Sequence, residues 1–296
     1  MNERILLTGA TGFLGSNLLR ALLGRGYRVS ILTRCSSDPF RIRDILGDVR
    51  RLNVENVHPT RIFQEERYDV ILHCATNYGR KDVDPITLIE ANLTLPLMLL
   101  HQGARSGVSC FVNTDTILDK RISHYSLSKC QFKDWLKMYS GSISCINVAI
   151  EHFFGPRDDE TKFTSFIIGS MVRRVARIEL TKGEQKRDFI YIDDVVEAFV
   201  RIIAHRVCNH QSRGYSRYEV GTGKSVKVSE FVRLVKRIAN NRTTLLDFGA
   251  LPYRENEVMD SKVDIEALTA LGWVPQVSLE EGIHRTIACE REAGRT

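Results

Sequence analysis

The chain has 296 residues, with 42 Lys and Arg against 36 Asp and Glu, a formal net charge of +6, and 43% hydrophobic and 26% charged residues. This is the balance of a soluble globular protein with a full core and room for two lobes. The basic residues are dispersed, which speaks against nucleic acid as partner. No apolar run nears the ~18 residues of a membrane span, and a first strand starting at residue 4 leaves no space for a signal peptide, so a cytoplasmic protein is expected.

Residues 4 to 16, RILLTGATGFLGS, read as strand, glycine turn and helix. Ile5, Leu6, Leu7 and Phe13 bracket Gly9, Gly12 and Gly15, and Leu18, Leu19, Leu22 and Leu23 continue with helical spacing. Side chains at Gly9 or Gly12 would keep the backbone from a pyrophosphate, and Gly15 allows close helix–strand packing. Phosphates would sit at the helix N-terminus, where free N–H groups and the dipole favour negative charge. The spacing is G-x-x-G-x-x-G.

The second strand is expected at 27 to 34, YRVSILTR. At its end an acid would hydrogen-bond a ribose 2′-hydroxyl, whereas an arginine accommodates a 2′-phosphate. Thr33 stands at the acid position and Arg34 follows, with Ser36 and Ser37 nearby, which favours NADP over NAD. The stretch 35 to 66 should hold a short helix and a third strand near Arg50 to Asn53. YDVILHCAT, 68 to 76, is a buried parallel strand whose small end residues Cys74, Ala75 and Thr76 leave room for cofactor. A helix over roughly 85 to 105 follows. Its Asn92, among apolar neighbours, either braces the next loop or is capped locally, and is grouped with the cofactor-binding residues.

Strand five is expected at 108 to 116, then the helix containing HYSLSK, then strand six over 143 to 156. This alternation predicts an α/β fold with a doubly wound parallel (Rossmann) sheet in a dinucleotide-binding domain over 1–152, rejoined by a helix near 188–206. From about 157 the rhythm changes, and 153–296 forms mainly a smaller, discontinuous α/β substrate-binding lobe, with a cleft between lobes as the natural ligand site. Asp193 and Asp194 are expected as helix cap and dipole partners, and a last helical segment lies around ALTALGW. The seven cysteines (35, 74, 110, 130, 145, 208, 289) form no C-x-x-C pair, so buried reduced thiols are expected and no metal.

Tyr125 and Lys129, four apart, share one helix face. Tyrosine normally ionises near pH ~10, and an adjacent ammonium is expected to lower that toward the range of an acid–base catalyst. Thr114, at the end of strand five, would set a hydroxyl against the same carbonyl oxygen.

TGATGFLG, HCAT, the Thr114/Tyr125/Lys129 set, HFFGP, KRDFIYIDDVV and VGTGKSV together resemble the extended short-chain dehydrogenase/reductase family of sugar-nucleotide epimerases, dehydratases and reductases, over nearly the whole chain. HCATNYGR, FVNTDT, IEHFFGPRDDETKFTSFII, TKGEQKRDFIYIDDVV and DFGALPYRENEVM resemble in particular its CDP-abequose and CDP-paratose synthase branch, which reduces the 4-keto group of a CDP-4-keto-dideoxyhexose with NADPH. The resemblance implies that Tyr125 protonates the keto oxygen while hydride reaches carbon 4. It implies that Lys129 lowers the tyrosine pKa and holds the nicotinamide ribose, and that Thr114 polarises the oxygen. The glycine loop with Thr11, Phe13 and Leu14 would cradle the pyrophosphate. Lys162, Phe163, Arg187 and Arg254 would hold the sugar nucleotide, His152 would contact its phosphate or sugar, and Tyr78 with Arg80 would wall the sugar pocket. A homodimer through the helices after strands four and five is usual in that family.

Departures sharpen the reading. The dehydratases carry Thr-Asp-Glu at the end of strand five; here the triplet is Thr114, Asp115, Thr116, so the glutamate base is missing. The epimerases usually show the acid that Thr33 replaces. The expected activity is an NADPH-dependent 4-ketoreductase acting on a CDP-4-keto-3,6-dideoxyhexose-type substrate in deoxysugar or O-antigen biosynthesis. The alternatives are a sugar-nucleotide 4-epimerase with tightly bound NAD(P), and a catalytically silent dinucleotide-binding scaffold.

Overall fold

The computed structural model describes residues 3–80, 83–209 and 213–293; the side chains of 208, 209 and 293 also lie outside the description, Cys208 among them. Two compact units emerge, Met1–Ala149 with Ala198–Tyr218, and Ile150–Glu197 with Glu219–Thr296.

In the first unit β1 (Arg4–Thr8), α1 (Phe13–Gly24), β2 (Arg28–Thr33), β3 (Arg50–Asn53), α2 (Pro59–Glu65), β4 (Val70–His73), α3 (Pro85–Ile89), α4 (Leu95–Arg105), β5 (Cys110–Thr116), α5 (His124–Tyr139) and β6 (Ser144–Ile150) alternate. The central sheet has seven strands in the order β3-β2-β1-β4-β5-β6 and then β11 (Tyr215–Val220). It is a parallel, Rossmann-like sheet with flanking helices. Strands such as Arg4–Thr8 are buried on both faces, which is why they read as unbroken apolar runs. On one face α4 and α5 bring Leu99, Leu100, Phe132 and Leu136 into one core with Leu6, Ile71 and Phe111. Each such side chain contributes about 1.5–3 kcal/mol. Register pairs Thr8 with His73 and His73 with Asn113, so these residues share one level, and Thr114 to Thr116 extend beyond it.

The second unit contains β7 (His152–Phe154), α6 (Phe163–Arg173), β8 (Arg177–Leu180), β9 (Lys186–Arg187), β10 (Phe189–Tyr191), β12 (Val226–Lys227), α8 (Val228–Ile238), β13 (Leu245–Phe248), α9 (Glu266–Ala270) and α10 (Leu279–Ala293). The strands form three pairs, β7 with β10, β9 with β12 and β8 with β13. Phe189 stacks on Phe231 at 4.1 Å, and Phe154 and Phe163 close on Phe231 from other sides. Helix α7 (Ile192–Asn209) passes from this unit into the first.

Four local expectations change. The apolar stretch 143 to 156 is two strands, β6 in the central sheet and β7 against β10, divided at Glu151, whose carbonyl accepts the Phe153 N–H at 2.8 Å. The apolar pattern runs on from the buried β6 into Phe153 and Phe154 of the part-buried β7, so hydropathy does not mark the change of partner. The helix over 85 to 105 carries a π-helical turn at Glu90–Thr94. Asp193 and Asp194 lie in the first turn of α7, as the dipole expectation has it, but the Asp194 carboxylate accepts the backbone N–H groups of Gln276 and Val277, both at 2.9 Å, and its carbonyl accepts Trp273 Nε1–H at 3.1 Å. The chain closes on α10, with Ile283 and Ile287 buried, well past ALTALGW.

Candidate active site

The turn after β1 is shaped by what a side chain would strike. Gly9 has φ +73°, and a Cβ there would lie 2.5 Å from the Ala75 nitrogen. A Cβ on Gly15 would lie 2.1 Å from the Gly9 carbonyl oxygen. Gly9 is thus demanded by packing on the backbone after β4, and Gly15 by packing of α1 on the loop itself. Gly12 is exposed and opens α1 with no side-chain cap, and no acid lies in the first turn. Phe13 is buried, Leu14 is half-buried, and the Thr11 carbonyl accepts Arg41 Nη1–H at 3.3 Å. A helix N-terminus left to its own N–H groups and free of acids fits a dinucleotide's pyrophosphate.

At the end of β2, Thr33 is buried and its hydroxyl oxygen accepts Arg51 Nε–H at 2.9 Å. Arg34 and Ser36 are exposed, and Arg34 N–H bonds Ser37 Oγ at 3.2 Å. Arg51 adds a second guanidinium here that the sequence did not single out. Glu55 also stands near: hydrogen bonds from Cys35, and then the Arg34 charge, hold its carboxyl below the usual range.

After β4, Thr8 Oγ1 accepts the N–H groups of Cys74 and Ala75 at 3.2 and 3.1 Å. Burial pushes the Cys74 thiol up to about 12. Asn92, 1% exposed, sits in the π-helical turn and uses its whole amide: Oδ1 accepts Asn77 N–H at 2.7 Å and the Thr76 hydroxyl at 3.4 Å, while Nδ2 donates to Asn77 O at 2.8 Å and Ser128 Oγ at 3.1 Å. It ties the loop after β4, which precedes it, to α5. Tyr78 lies with its ring 5.2 Å from that of Tyr125, and the Arg80 guanidinium sits 5.0 Å over Tyr78.

Helix α5 starts at a Ser123/Ser126 capping box, which fixes the register of the face that carries Tyr125 and Lys129. Thr114 is buried and its hydroxyl donates to His73 O at 3.1 Å. Lys129, 2% exposed, donates to Thr114 O at 2.8 Å. Burial lowers its ammonium pKa to about 8, against the raising charges of Asp115 and Cys74. Tyr125 departs from expectation. The residue is half-buried, and burial, then Tyr78, then Asp115, raise its pKa well above the ordinary value; the Thr116 side chain and Arg80 act the other way. Without an ammonium aimed at it, the phenol is a held proton rather than a phenolate. Asp115 and Thr116 come from the triplet read as a departure, whereas Asn147, which donates to Asp115 at 2.6 Å, carried no sequence signal because it comes from a different strand.

In the second unit the residues expected to hold substrate have protein partners. Arg187 is buried, donates to Val258 O at 2.6 Å and pairs with Glu257. Lys162, the residue before α6, pairs with Asp158 at 3.0 Å and stands 4.0 Å over the Phe153 ring; Phe163 begins α6. His152 Nδ1 bonds the buried Glu151 carboxylate at 2.9 Å, and its ring meets Phe189 edge-on at 5.7 Å. Burial raises the Glu151 pKa, but hydrogen bonds and charges from His152, Ser261 and Arg187 outweigh it and lower it overall. Arg254 is exposed. No group of three or more His, Cys, Asp or Glu that would hold a metal occurs among the described residues, and no described helix is long and apolar enough to cross a membrane. Cys110 and Cys145 are buried free thiols, whereas Cys35 is exposed, contrary to the expectation of uniform burial.

Comparison with known proteins agrees with this architecture. The chain is 32% identical over 298 residues to a CDP-abequose synthase of Salmonella muenchen, covering 97% of this chain and 98% of that one. A UDP-glucose 4-epimerase from Thermus thermophilus, solved in complex with NAD, superposes with a TM-score of 0.79 at 25% identity, covering 98% and 99% of the two chains. The fold is shared as well with the UDP-glucose 4-epimerase of Thermotoga maritima, solved with UDP-glucose, at a TM-score of 0.83, 24% identity and 99% coverage of both chains. The profile of the NAD dependent epimerase/dehydratase family matches residues 5–221. A glycine turn feeding an uncapped helix and a 3-2-1-4-5-6 strand order agree with that match, and the chain belongs to the NAD dependent epimerase/dehydratase family.

Proposed function

We propose that this enzyme is an NADPH-dependent 4-ketoreductase whose substrate is a CDP-4-keto-3,6-dideoxyhexose or a close relative, in deoxysugar biosynthesis. The observation that carries the reading is Tyr125 set four residues before a buried Lys129 on α5, with Thr116 where a dehydratase needs a carboxylate base. Such a phenol suits donation to an oxygen that gains charge as its carbon is reduced. The reduced nicotinamide, when bound, supplies the hydride. Tyr125 gives its proton to the carbonyl oxygen, the Thr114 hydroxyl turns from the His73 carbonyl to orient that oxygen when substrate binds, and Lys129 holds the nicotinamide ribose and keeps the Thr114 backbone in place. Gly12 and the start of α1 receive the pyrophosphate, and Arg34, with Arg51 behind it, receives a 2′-phosphate.

In the second unit, Arg187 and Arg254 are proposed to grip the diphosphate by forked hydrogen bonds, with Lys162, Phe163 and His152 on the nucleotide sugar. Glu257 then yields Arg187 to the diphosphate on binding. The likeness to CDP-abequose synthase supports a CDP sugar. The family's epimerases, among them the UDP-glucose 4-epimerases it resembles, support the second reading, in which NAD(P) is retained and recycled. We also propose a cytoplasmic homodimer: Met98 on α4 and Leu127, Trp135 and Met138 on α5 are exposed apolar side chains, Met138 at 79%.

The test is NADPH oxidation by purified protein against 4-keto-6-deoxy and 4-keto-3,6-dideoxy sugar nucleotides, in CDP and dTDP forms. Oxidation with a CDP donor is expected. No oxidation with any donor, together with interconversion of 4-hydroxy epimers and a cofactor that co-purifies, would replace the reductase by the epimerase.

A further inference from the structure

One buried carboxylate in the second unit serves two partners at once. Glu151 stands where β6 gives way to β7, with its side chain only 5% exposed. Oε1 meets His152 Nδ1 at 2.9 Å, and Oε2 accepts the Ser261 hydroxyl at 2.8 Å. A buried acid is costly to ionise, yet the partners of Glu151 more than offset its burial and keep it a carboxylate. Such a group only accepts hydrogen bonds.

Donor and acceptor counting then assigns the ring. Because Glu151 accepts, His152 Nδ1 carries a proton and donates it, which in the neutral ring leaves the lone pair on Nε2. Nε2 makes no hydrogen bond among the described residues, and it is not one of the buried polar atoms left without a partner, so it is open to a ligand. The orientation of the ring is set from two sides. His152 is the register partner of Phe189 across β7 and β10, and the Phe189 ring, itself stacked on Phe231 at 4.1 Å, meets the imidazole edge-on at 5.7 Å. The histidine side chain nevertheless stays 33% exposed. Phe153 next to it and Lys162, 4.0 Å over the Phe153 ring, are half-buried as well.

Ser261 sets the carboxylate from the far side. It belongs to a segment laid along β9: Met259 O accepts Lys186 N–H at 2.8 Å, Val258 O accepts Arg187 Nη1–H at 2.6 Å, and Glu257 pairs with Arg187. The orientation of Glu151 is therefore tied to the same segment that holds Arg187.

We propose that Glu151 is a positioning residue of the sugar-nucleotide site, which locks the proton of His152 on Nδ1 so that Nε2 accepts a hydrogen bond from a hydroxyl of the bound sugar nucleotide, on its ribose or its hexose. This rests on the proposed function in taking a sugar nucleotide as ligand. It assigns His152 to a hydroxyl rather than to the diphosphate, because phosphate oxygens are themselves acceptors and have no proton to give to a lone pair.

The experiment is nitrogen-15 NMR of the histidine side chains in the full chain at about pH 8, with His152 assigned by its loss in H152N, alongside calorimetric titration with CDP, CDP-glucose and UDP-glucose. The wild type is expected to carry its His152 proton on Nδ1 alone. Glu151→Met, which offers no acceptor, is expected to release that proton to Nε2 and to weaken the sugar nucleotide that binds by about 3- to 10-fold. In E151Q the amide oxygen still accepts Nδ1–H and the amide nitrogen donates to Ser261 Oγ, so tautomer and affinity are expected to hold, a rescue that a purely ionic role for Glu151 would not give. A loss in E151M shared by CDP assigns the hydroxyl to the ribose, and a loss confined to the hexose-bearing ligands assigns it to the hexose. A proton on Nε2 in the wild type, or an unmoved affinity in folded E151M, would overturn the inference. If E151M does not fold, the wild-type and E151Q spectra decide it. The expected tautomer and affinities in a protein that reduces no 4-keto sugar nucleotide would instead overturn the reductase and leave Glu151 in its role.

Discussion

Lys129 donates its ammonium proton to the carbonyl oxygen of Thr114 at 2.8 Å, so this lysine is bound to the strand rather than to Tyr125, four residues before it. One buried cation thereby fixes the end of β5 against α5. Its cost is electrostatic: a group 2% exposed with its pKa lowered to about 8 resists being charged.

That cost has a defined sign with pH. Between about 8 and the ordinary 10.5, unfolded Lys129 holds its proton and the folded residue does not, so the unfolded state binds more protons and stability rises with pH through that window. Denaturant midpoints followed from pH 7 upward are expected to climb in the wild type relative to Lys129→Gln, which lacks the titration. Parallel curves for the two proteins would contradict the burial argument.

Tyr125→Phe removes the proposed proton and little else, since Asn92, Ser128 and Thr114 do not depend on its hydroxyl. Turnover is expected to fall by about 10²–10⁴, while NADPH affinity from fluorescence titration changes by less than about threefold. Unchanged turnover would remove Tyr125 from the acid role.

Arg34 is exposed and its backbone is held by Ser37, so Arg34→Ala leaves the fold intact. The loss of a charge-assisted contact to a 2′-phosphate, about 1.5–3 kcal/mol, is expected to weaken NADPH roughly 10- to 100-fold and to leave NADH nearly unaffected. Equal loss for both cofactors in a binding assay would place Arg34 elsewhere than at the 2′ position.

Asp194→Ala tests the second unit. It strands the N–H groups of Gln276 and Val277, which both bond the carboxylate at 2.9 Å, and is expected to cost about 2–4 kcal/mol in unfolding free energy. Asp193→Ala, whose 3.3 Å pair with Arg285 is exposed, is expected to cost under about 1 kcal/mol. Similar thermal shifts for the two variants would return Asp194 to an ordinary helix-end role.

What the sequence determined by itself were features set by local periodicity and by residues close in the chain. The glycine turn, the alternating strands and helices of the first unit, and Tyr125 with Lys129 on one face of α5 all follow from spacing, because side-chain direction repeats with period 2 in strands and 3.6 in helices. Tertiary structure alone decided how those residues are partnered. Asn92 braces the loop before it because the π-helical turn aims its amide at Asn77 and Ser128. Asp194 holds residues 276 and 277, more than eighty positions away. Tyr125 keeps its proton because burial, Tyr78 and Asp115 act on it while Lys129 turns to Thr114. Proton affinity depends on desolvation and on charges brought from other strands, and neither quantity exists until the sheet has formed.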